Sequence, residues 1–532
     1  MYKILDLFAG AGGLSLGFTQ TGNFTILAAA ENNKNAQKTY LANHRGKQRL
    51  KMIDNVLGFP FSDLHNEIGN IDIIIGGPPC QGFSNANRQK NHVISMNNSL
   101  VKEYFRAVRD IKPKAFVMEN VSMLSSETHR FYDSEVDHDN IMQLGIEMLD
   151  DEILICKQSF EDVDLLEIVQ NSEQLQSQVL QENLFKRLNI LYKNRAHEEK
   201  LEKFLKKNGL SIIKLINQSL IEIDGRDGFQ FINRCLNHIK NCLICDQSIS
   251  IYENMLSQFI AFQKALRITK EIYDNYIICN FNMKENSNIL VANVKSYSVI
   301  DYINAILNGT YKQKGATINA AWFGVPQERK RYVIIGIRND IIGDNDIILP
   351  KCPDNNIPFV TVKEAIEDLK EYETTVSKDD NGVQMGQVPA NISTYARQLR
   401  DTEILNNHII TETTSEAMER FKALKEGENF HKLDESLKGT YTNPKRTQNT
   451  IYLRLENDKP SGTVVNVRKS MWIHPEFDRA ISVREAARLQ SFPDSFTLCG
   501  TKDSQYQQVG NAVPPKMARA IAECLLVQLN EK

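Results

Sequence analysis

Residues 71 to 84 read Ile71-Asp72-Ile73-Ile74-Ile75-Gly76-Gly77-Pro78-Pro79-Cys80-Gln81-Gly82-Phe83-Ser84. The isoleucine run predicts a fully buried strand of a parallel sheet, because such strands are covered on both faces. The Gly-Gly-Pro-Pro sequence ends that strand in a rigid turn, since proline lacks a backbone N–H and fixes its φ angle. Cys80 therefore follows a buried strand at its carboxyl end, the edge at which open α/β sheets bind ligands. A lone free cysteine is usually a small buried hydrophobe, so the role of Cys80 depends on the rest of the chain.

The N-terminal segment predicts a pocket for a nucleotide-like ligand. Tyr2 to Phe8 is typical of a strand, and a turn containing Gly10 and Gly12 leads from it into a helix with free N–H groups. The second predicted strand ends at Glu31, about 20 residues further on, where dinucleotide-binding folds place an acidic residue on ribose hydroxyls. Asp54 follows a third short strand and is a candidate acceptor for an adenine amino group. A tight turn and two solvated carboxylates would account for the same residues without a ligand.

Two further predicted strands have charged residues at their ends. Ala115 to Met118 is typical of a buried strand, and Glu119 follows it, where a carboxylate without a partner or a role is costly. Gln327-Glu328-Arg329-Lys330-Arg331 precedes the predicted strand Tyr332 to Ile337, and alternation places its two arginines on one face. We expect Cys80, Glu119 and these arginines to share one site.

These motifs, in this order, resemble those of the DNA cytosine-C5 methyltransferase family. The resemblance rests on Gly-Pro-Pro-Cys-Gln-Gly-Phe-Ser from Gly77, Glu-Asn-Val from Glu119, the Gln-x-Arg-x-Arg motif and Gln508-Val509-Gly510-Asn511. It implies an α/β fold, with a Rossmann-like sheet of the S-adenosylmethionine-dependent methyltransferase type. The resemblance also implies a smaller, irregular target-recognition domain. The segment from Ser125 to about Tyr297 departs from the family pattern, and its composition predicts an inserted, mainly helical domain.

The resemblance also implies roles for individual residues. Cys80 would attack C6 of a cytosine, Glu119 would act as an acid at N3, Arg331 would contact the base and Arg329 a nearby phosphate. S-Adenosylmethionine would be the methyl donor and S-adenosylhomocysteine the product, with no metal ion. Asn32 stands where some family members have an aromatic residue beside the adenine, so stacking would depend more on Phe8. Cofactor contacts are expected from Phe8, Gly10, Gly12, Glu31, Asp54, Pro78 and Asn511, and contacts to double-stranded DNA from Gln81, Ser84, Gln327, Arg454, Arg468 and Lys469.

The expected domains follow from the motifs and from the composition between them. Residues 1–124 and 298–344 would form the catalytic domain, 125–297 the helical insertion, 345–495 the target-recognition domain, and 496–532 a C-terminal segment that returns to the catalytic domain. The recognition region is polar and irregular, and its three candidate basic residues could contact bases or phosphates, or simply face water. In the family, the polar loop after Ser84 closes over a flipped-out base, although an ordinary surface loop has the same composition.

The expected insertion is rich in Leu, Ile, Glu, Gln, Lys and Asn, with helical spacing of its apolar residues. Cys235, His238, Cys242 and Cys245 suggest a zinc site at first sight. Their spacing places them along one face of a single helix, which cannot surround an ion tetrahedrally, and a helical core face is the better interpretation. Docking of a protein partner, an extension of the DNA clamp and plain scaffolding all remain open for this segment.

The composition limits the classes of protein without selecting one. The 63 Lys+Arg and 66 Asp+Glu give a net charge of −3, which neither favours nor excludes a nucleic-acid partner. Nine irregularly spaced cysteines favour a reducing compartment, and neither a secretory signal nor a membrane span is expected. The resemblance implies a bacterial restriction-modification enzyme, and together with the cysteine content it leads us to expect a cytoplasmic protein associated with the nucleoid.

Two other functions remain as alternatives. A tRNA cytosine-C5 methyltransferase would share the motifs, although such enzymes have a shorter recognition region. A catalytically silent regulator that binds DNA or a partner would keep the fold, although the intact Cys80, Glu119 and arginine motif argue against it. The sequence does not determine the DNA recognition site, the oligomeric state or the existence of a companion endonuclease.

Overall fold

The computed structural model describes residues 1–44, 50–79, 97–121, 130–352, 358–377, 382–439, 441 and 444–530. Within these ranges the chain divides into two compact units. We call residues 1–121 and 306–530 the sheet unit, and residues 130–305 the inserted unit. None of the described helices combines the length and the apolar character that a membrane span requires.

The sheet unit is built on a seven-stranded sheet of Rossmann-like order, as predicted. From edge to edge the order is β10-β11-β5-β4-β1-β2-β3. The five strands from β3 to β5 are parallel, β11 is antiparallel to β5, and β10 is antiparallel to β11. The strands are β1 (Tyr2–Leu7), β2 (Phe24–Ala30), β3 (Lys51–Ile53), β4 (Ile73–Gly76), β5 (Ala115–Asn120), β10 (Tyr311–Asn319) and β11 (Lys330–Arg338).

Strand β4 lies between β1 and β5, which explains its unbroken apolar sequence. Ile73, Ile74 and Ile75 are all fully buried, because helices cover both faces of the sheet. The C-terminal helix α21 (Pro515–Asn530) packs against α1 (Gly13–Thr19), which brings the last segment of the chain back beside the first glycine-rich turn.

The other elements of the sheet unit are the helices beside the central sheet and the elements of the recognition region, which are mostly short. Helix α19 begins at a capping box in which Ser482 and Glu485 each accept from the other's backbone N–H, as their spacing predicts. These elements are α2 (Lys34–Asn43), α3 (Leu64–Ile68), α4 (Asn97–Ile111), α13 (Asn339–Ile342), α14 (Val362–Ile366), β12 (Val383–Gln384), α15 (Thr394–Leu399), β13 (Ile404–Leu405), α16 (Ser415–Ala423), α17 (Glu435–Lys438), α18 (Val467–Ser470), α19 (Val483–Leu489) and α20 (Lys502–Asn511).

The inserted unit is mainly helical and has a hydrophobic core of its own, but it also contains a four-stranded antiparallel sheet that the sequence analysis did not predict. Strands β6, β7 and β8 each pair with β9. Because β7 and β9 lie about 140 residues apart in the chain, the local sequence does not predict their pairing. The elements are β6 (Arg130–Tyr132), α5 (His138–Gln143), β7 (Leu149–Cys156), α6 (Leu165–Gln170), α7 (Ser172–Gln178), α8 (Glu182–Asn194), α9 (Glu198–Ile223), α10 (Gln230–Ile244), α11 (Ile249–Asp274), β8 (Cys279–Met283), β9 (Leu290–Ser298) and α12 (Val299–Leu307), the last of which contains the boundary at residue 305.

Helix α10 carries the cysteines and the histidine that had suggested zinc. Cys235 and Cys242 are buried in the core of the inserted unit, and Cys245 is exposed just after the helix ends. Cys235, His238 and Cys242 lie on this helix and Cys245 directly follows its end, and a single helix cannot enclose an ion. In the described ranges no group of three or more His, Cys, Asp or Glu side chains is placed to hold a metal ion.

Candidate active site

Glu119 and Arg331 form an ion pair at the carboxyl edge of the central sheet. Glu119 is the fifth residue of β5, and Arg331 is the second residue of β11, which pairs antiparallel beside it. Arg331 Nε lies 2.8 Å from Glu119 Oε1, and only 17% and 11% of the two side chains are exposed. The carboxylate that seemed costly at the end of a buried strand therefore has a charged partner.

The turn after β4 lies directly against this pair. Gly76, the last residue of β4, is in register with Met118 of β5. The residues that follow them, Gly77 and Glu119, therefore lie at the same corner of the sheet. A Cβ atom on Gly77 would lie 2.9 Å from Glu119 Oε2, so glycine leaves room for the carboxylate. Asn120 Nδ2 donates to the carbonyl of Pro78 at 3.2 Å and ties the turn to β5.

The chain leaves this corner toward Cys80, the predicted nucleophile. Cys80, Gln81 and Ser84 lie outside the described residues, as does nearly all of the polar loop that follows them. Their predicted roles therefore stay predictions. The described side of the site consists of the turn up to Pro79 and the Glu119–Arg331 pair.

The glycine-rich turn after β1 is open at Gly10, whereas His44 packs against Gly12. Phe8, Gly10 and Gly12 have φ angles of +60°, +56° and +94°, the left-handed region that favours glycine. No atom lies within 4 Å of the position that a Cβ atom on Gly10 would take, so a ligand can approach the backbone there. Glu31 Oε2 accepts from the N–H of Gly10 at 2.9 Å, which joins the ends of β1 and β2.

Two other predicted cofactor residues occupy the surroundings of this turn. Asp54 is exposed and accepts from Lys34 Nζ at 2.7 Å and from Gln37 Nε2 at 2.8 Å. Asn511 is exposed at the end of α20 and accepts from Gln507 Nε2 at 2.8 Å. The segment after it reaches α1, because the carbonyl oxygen of Val513 lies 2.3 Å from the position that a Cβ atom on Gly13 would take.

A buried polar cluster lies beneath the glycine-rich turn and was not predicted from the sequence. Ser15 Oγ donates to Asp6 Oδ2 at 2.5 Å and lies 2.7 Å from the hydroxyl of Tyr40. Asp6 Oδ1 has no hydrogen-bond partner among the described residues. Burial raises the pKa of Asp6 to about 7. An aspartate inside the apolar run of β1 is the signal that would have found it, since a carboxylate there needs a partner.

The structure corrects two predictions for the arginine motif. Arg329 is 2% exposed and its guanidinium donates to the carbonyls of Val464 and Gly510, so it does not present a charge to a DNA phosphate. Its pKa is well below its ordinary value because of burial and the nearby charge of Arg331. Gln327 is fully buried and bonded to protein groups, so it does not present a DNA contact either. Alternation failed here because β11 begins only at Lys330, so Arg329 belongs to the preceding loop.

Arg454 is a third correction. It is 5% exposed, and its guanidinium donates to backbone carbonyls, including those of Leu424 and Phe421, and pairs with Asp478 at 2.5 Å. These partners all belong to the recognition region, so Arg454 has a structural role there. Arg468 and Lys469, by contrast, are exposed on α18, with Arg468 2.8 Å from Asp503.

The strand order, the glycine-rich first turn and the paired carboxylate and arginine at one sheet edge define a Rossmann-like methyltransferase. The chain matches the family model of the C-5 cytosine-specific DNA methylases over residues 2–148 and 262–526. It belongs to that family and is a DNA (cytosine-5-)-methyltransferase. The unmatched residues between the two segments lie within the inserted unit.

Curated relatives are similar to the chain over nearly its whole length, and a solved structure shares its fold. The chain is 25% identical over 523 residues to the Type II methyltransferase M1.HphI of Haemophilus parahaemolyticus, covering 98% of this chain and 86% of that protein. It is 24% identical over 536 residues to M.DdeI of Desulfomicrobium norvegicum, covering 98% and 88%. A prophage-encoded E. coli protein described as a DNA modification methyltransferase shares the fold, with a TM-score of 0.54, 20% identity and full coverage of both chains.

Proposed function

We propose that this enzyme transfers a methyl group from S-adenosylmethionine to C5 of a flipped-out cytosine in a specific duplex DNA sequence, through a covalent bond between Cys80 and C6. One observation carries the proposal. The Glu119 carboxylate, paired with Arg331, lies beside Gly77 in the proline turn that leads to Cys80. An acid and a cation thus meet beside the turn from which the chain continues to the candidate nucleophile.

Covalent catalysis explains why the proposed reaction needs a thiol. C5 of cytosine is too weak a nucleophile to accept a methyl group directly, and addition of a nucleophile at C6 removes that obstacle. The electron pair of the Cys80 thiolate forms a C6–S bond, and the electrons of the C5–C6 double bond become available at C5. After C5 has been methylated, a base removes the C5 proton, the C6–S bond breaks and the double bond returns.

Glu119 and Arg331 support this sequence of steps. Addition at C6 places electron density on N3, and a proton delivered there by Glu119 stabilises the adduct. Arg331 holds the carboxylate through Nε and is expected to bind the base at O2. The pair is largely buried, and charge-assisted hydrogen bonds are stronger where water is excluded.

The residues around the glycine-rich turn fit S-adenosylmethionine. The open space at Gly10 admits a ligand to the backbone, and Glu31, at the end of β2, would accept from the ribose hydroxyls. Phe8, Gly12, Asp54, Pro78 and Asn511 complete the expected set of contacts. When bound, the sulfonium supplies an already activated methyl group, so the proposed reaction requires no metal ion.

Duplex DNA is the proposed substrate, because relatives that cover nearly the whole chain are Type II methyltransferases. The target carbon lies inside the base stack, so the cytosine must leave the duplex, at a cost of a few kcal/mol in unstacking. Transfer to tRNA is the competing activity. Parallel assays with duplex DNA and tRNA, each with labelled S-adenosylmethionine, distinguish the two.

A duplex library carrying 5-fluorocytosine tests the covalent step. Fluorine cannot leave C5 as a proton does, so the enzyme should remain bound to DNA as a denaturation-resistant adduct in the presence of S-adenosylmethionine. Cys80→Ala should abolish the adduct, whereas Cys524→Ala, a matched change on the C-terminal helix, should not. An adduct of wild-type yield with Cys80→Ala would show that the mechanism is wrong.

A further inference from the structure

Gln327 stands at the centre of a buried hydrogen-bond network. Its Nε2 donates to the carbonyl of Leu489 at 3.2 Å and to Gln490 Oε1 at 2.8 Å, and its Oε1 accepts from the N–H of Val464 at 2.7 Å. Gln490 Nε2 in turn donates to the carbonyl of Val509 at 2.7 Å. The side chain of Gln327 is fully buried, so these bonds cannot be exchanged for bonds to water.

Arg329 extends the same network. One terminal nitrogen of its guanidinium donates to the carbonyl of Val464 at 3.0 Å, and the other donates to the carbonyl of Gly510 at 3.2 Å. The planar guanidinium offers donors in a fixed fork, which a flexible lysine side chain with a single charged atom does not reproduce. Arg329 therefore holds two chain segments at a set distance from each other.

The backbone around these side chains strengthens the connection. Residues Gln327 and Ser461 form a parallel β-bridge, and the N–H of Glu328 donates to the carbonyl of Ser461 at 2.8 Å. Ser461 in turn donates to the carbonyl of Pro326 through its own N–H at 3.0 Å. The loop before β11 thus has the 461–464 segment bonded along it.

The network reaches both halves of the proposed reaction. Arg331, which pairs with Glu119, follows Arg329 by two residues, and Asn511, a proposed cofactor contact, directly follows Gly510. The 461–464 segment belongs to the recognition region, three residues before α18, which carries Arg468 and Lys469. A displacement of the arginine motif, of the 461–464 segment or of the Gly510–Asn511 segment would shift the other two. The reason is that buried polar groups are destabilised when they lose a hydrogen-bond partner.

We propose that Gln327, Arg329 and Gln490 are positioning residues, which couple the recognition segment at 461–464 to the Glu119–Arg331 pair and to the cofactor side of the site at Gly510 and Asn511. The proposal rests on the proposed function for the identity of the cofactor. It assigns Arg329 no contact with DNA. It predicts instead that the arginine acts through the groups it holds in place.

The salt dependence of DNA binding separates this role from a phosphate contact. Loss of one phosphate contact lowers the slope of log K against log salt concentration by about one. Arg329→Gln should leave that slope unchanged for a fixed random-sequence duplex. It should weaken binding of S-adenosylmethionine, measured by calorimetry, by about tenfold or more, since small displacements in a site are costly. Methylation should slow further when the cofactor is saturating.

Control and companion variants complete the experiment. Arg329→Lys should fail to restore cofactor affinity, and Lys469→Gln on exposed α18 should leave that affinity unchanged. Should Arg329→Gln not fold, Gln490→Leu tests the same network without touching the arginine motif. A slope that falls by about one, with unchanged cofactor affinity, would overturn the proposal. Because calorimetry and DNA binding do not require methyl transfer, absence of DNA methylation by the wild-type enzyme would count against the proposed function alone.

Discussion

Glu119 shows how one residue can be both a structural liability and a functional group. A carboxylate at the end of a central strand is tolerated because Arg331 neutralises it at 2.8 Å. In the proposed mechanism the carboxylate must first take up a proton, which the enclosed site then directs to N3 of the bound base. The sequence predicted the unusual position of Glu119, and the resemblance implied that Arg331 would orient it, which agrees with the observed ion pair.

Glu119→Gln should remove the proton donor while keeping the shape of the side chain. We expect single-turnover methylation of duplex DNA to fall by about 10² to 10⁴, the usual contribution of a general acid. Cofactor affinity should change little, because Glu119 lies beside the Cys80 turn and not at the glycine-rich turn. Glu328→Gln, an exposed change in the same motif, is the control. Equal activity in the two variants would contradict the role of Glu119.

Asp6 gives a prediction about pH. Its pKa is raised from 3.8 to about 7 by burial, so the folded protein holds this proton more tightly than the unfolded chain does. The stability that this proton contributes is present in full below the ordinary pKa and is lost as the pH rises toward 7. Asp6→Asn cannot titrate, so the variant should gain roughly 3 kcal/mol relative to wild type between about pH 5 and pH 8.

Urea unfolding followed by tryptophan fluorescence measures this difference in the sheet unit, because Trp322 and Trp472, the two tryptophans of the chain, both belong to it. Asp63→Asn, an exposed change, should leave the pH dependence of wild type intact. A difference between Asp6→Asn and wild type that is constant across this pH range would show that the Asp6 carboxyl does not titrate as proposed.

At the scale of elements, the strands of the central sheet were predictable and those of the inserted unit were not. Strand β4 is identified by an apolar run that ends in Gly-Gly-Pro-Pro, which is local information. Strand β7 has exposed Leu149 and Leu154 among charged residues, and it forms only because β9, far along the chain, pairs with it. The helices of the inserted unit follow the periodicity of their apolar residues, and their common core was therefore expected.

Replacing residues 127–305 by a short Gly/Ser linker should leave S-adenosylmethionine binding intact. All seven strands of the central sheet and every described cofactor residue lie outside this segment, and the segment has a core of its own. Calorimetry on the deletion protein measures the affinity, and far-UV circular dichroism shows that it is folded. A folded deletion protein that does not bind the cofactor would show that the segment belongs to the catalytic core.

At the scale of the whole molecule, charge is unevenly distributed. Residues 127–305 contain 19 Lys+Arg and 27 Asp+Glu, whereas the rest of the chain contains 44 and 39. The near-neutral total of the sequence thus combines an acidic segment with a basic remainder. This distribution favours DNA contact by the sheet unit and disfavours the idea that the insertion extends a DNA clamp.

A buried charge network holds the recognition region of the sheet unit together. Arg488 is fully buried and pairs with Asp368 at 2.5 Å and with Asp494 at 2.6 Å, residues that lie far apart in the chain. The two carboxylates raise the pKa of the guanidinium above its ordinary value, against the opposing effect of burial. Such a network stabilises only when it is complete, because each charge depends on the others.

Arg488→Met should therefore lower the free energy of unfolding of the sheet unit by about 3–5 kcal/mol, the cost of leaving buried charges without a partner. Arg519→Met breaks an exposed pair with Glu523 and should cost at most about 1 kcal/mol. Tryptophan fluorescence in urea measures both variants. Similar losses in the two proteins would show that the Arg488 network contributes no more than a surface ion pair.

The sequence by itself determined the class of the protein, because the features that define it are local. A buried strand, a proline-fixed turn, a glycine-rich turn and a capped helix each depend on a few neighbouring residues, and their order along the chain is read directly. The tertiary structure alone decided which polar residues face a ligand. Arg329, Gln327 and Arg454 have the residue types of a DNA-binding surface, yet segments distant in the chain supply carbonyls that bury them. Burial depends on what packs against a side chain, and that is a property of the folded chain and not of the residue's sequence neighbours.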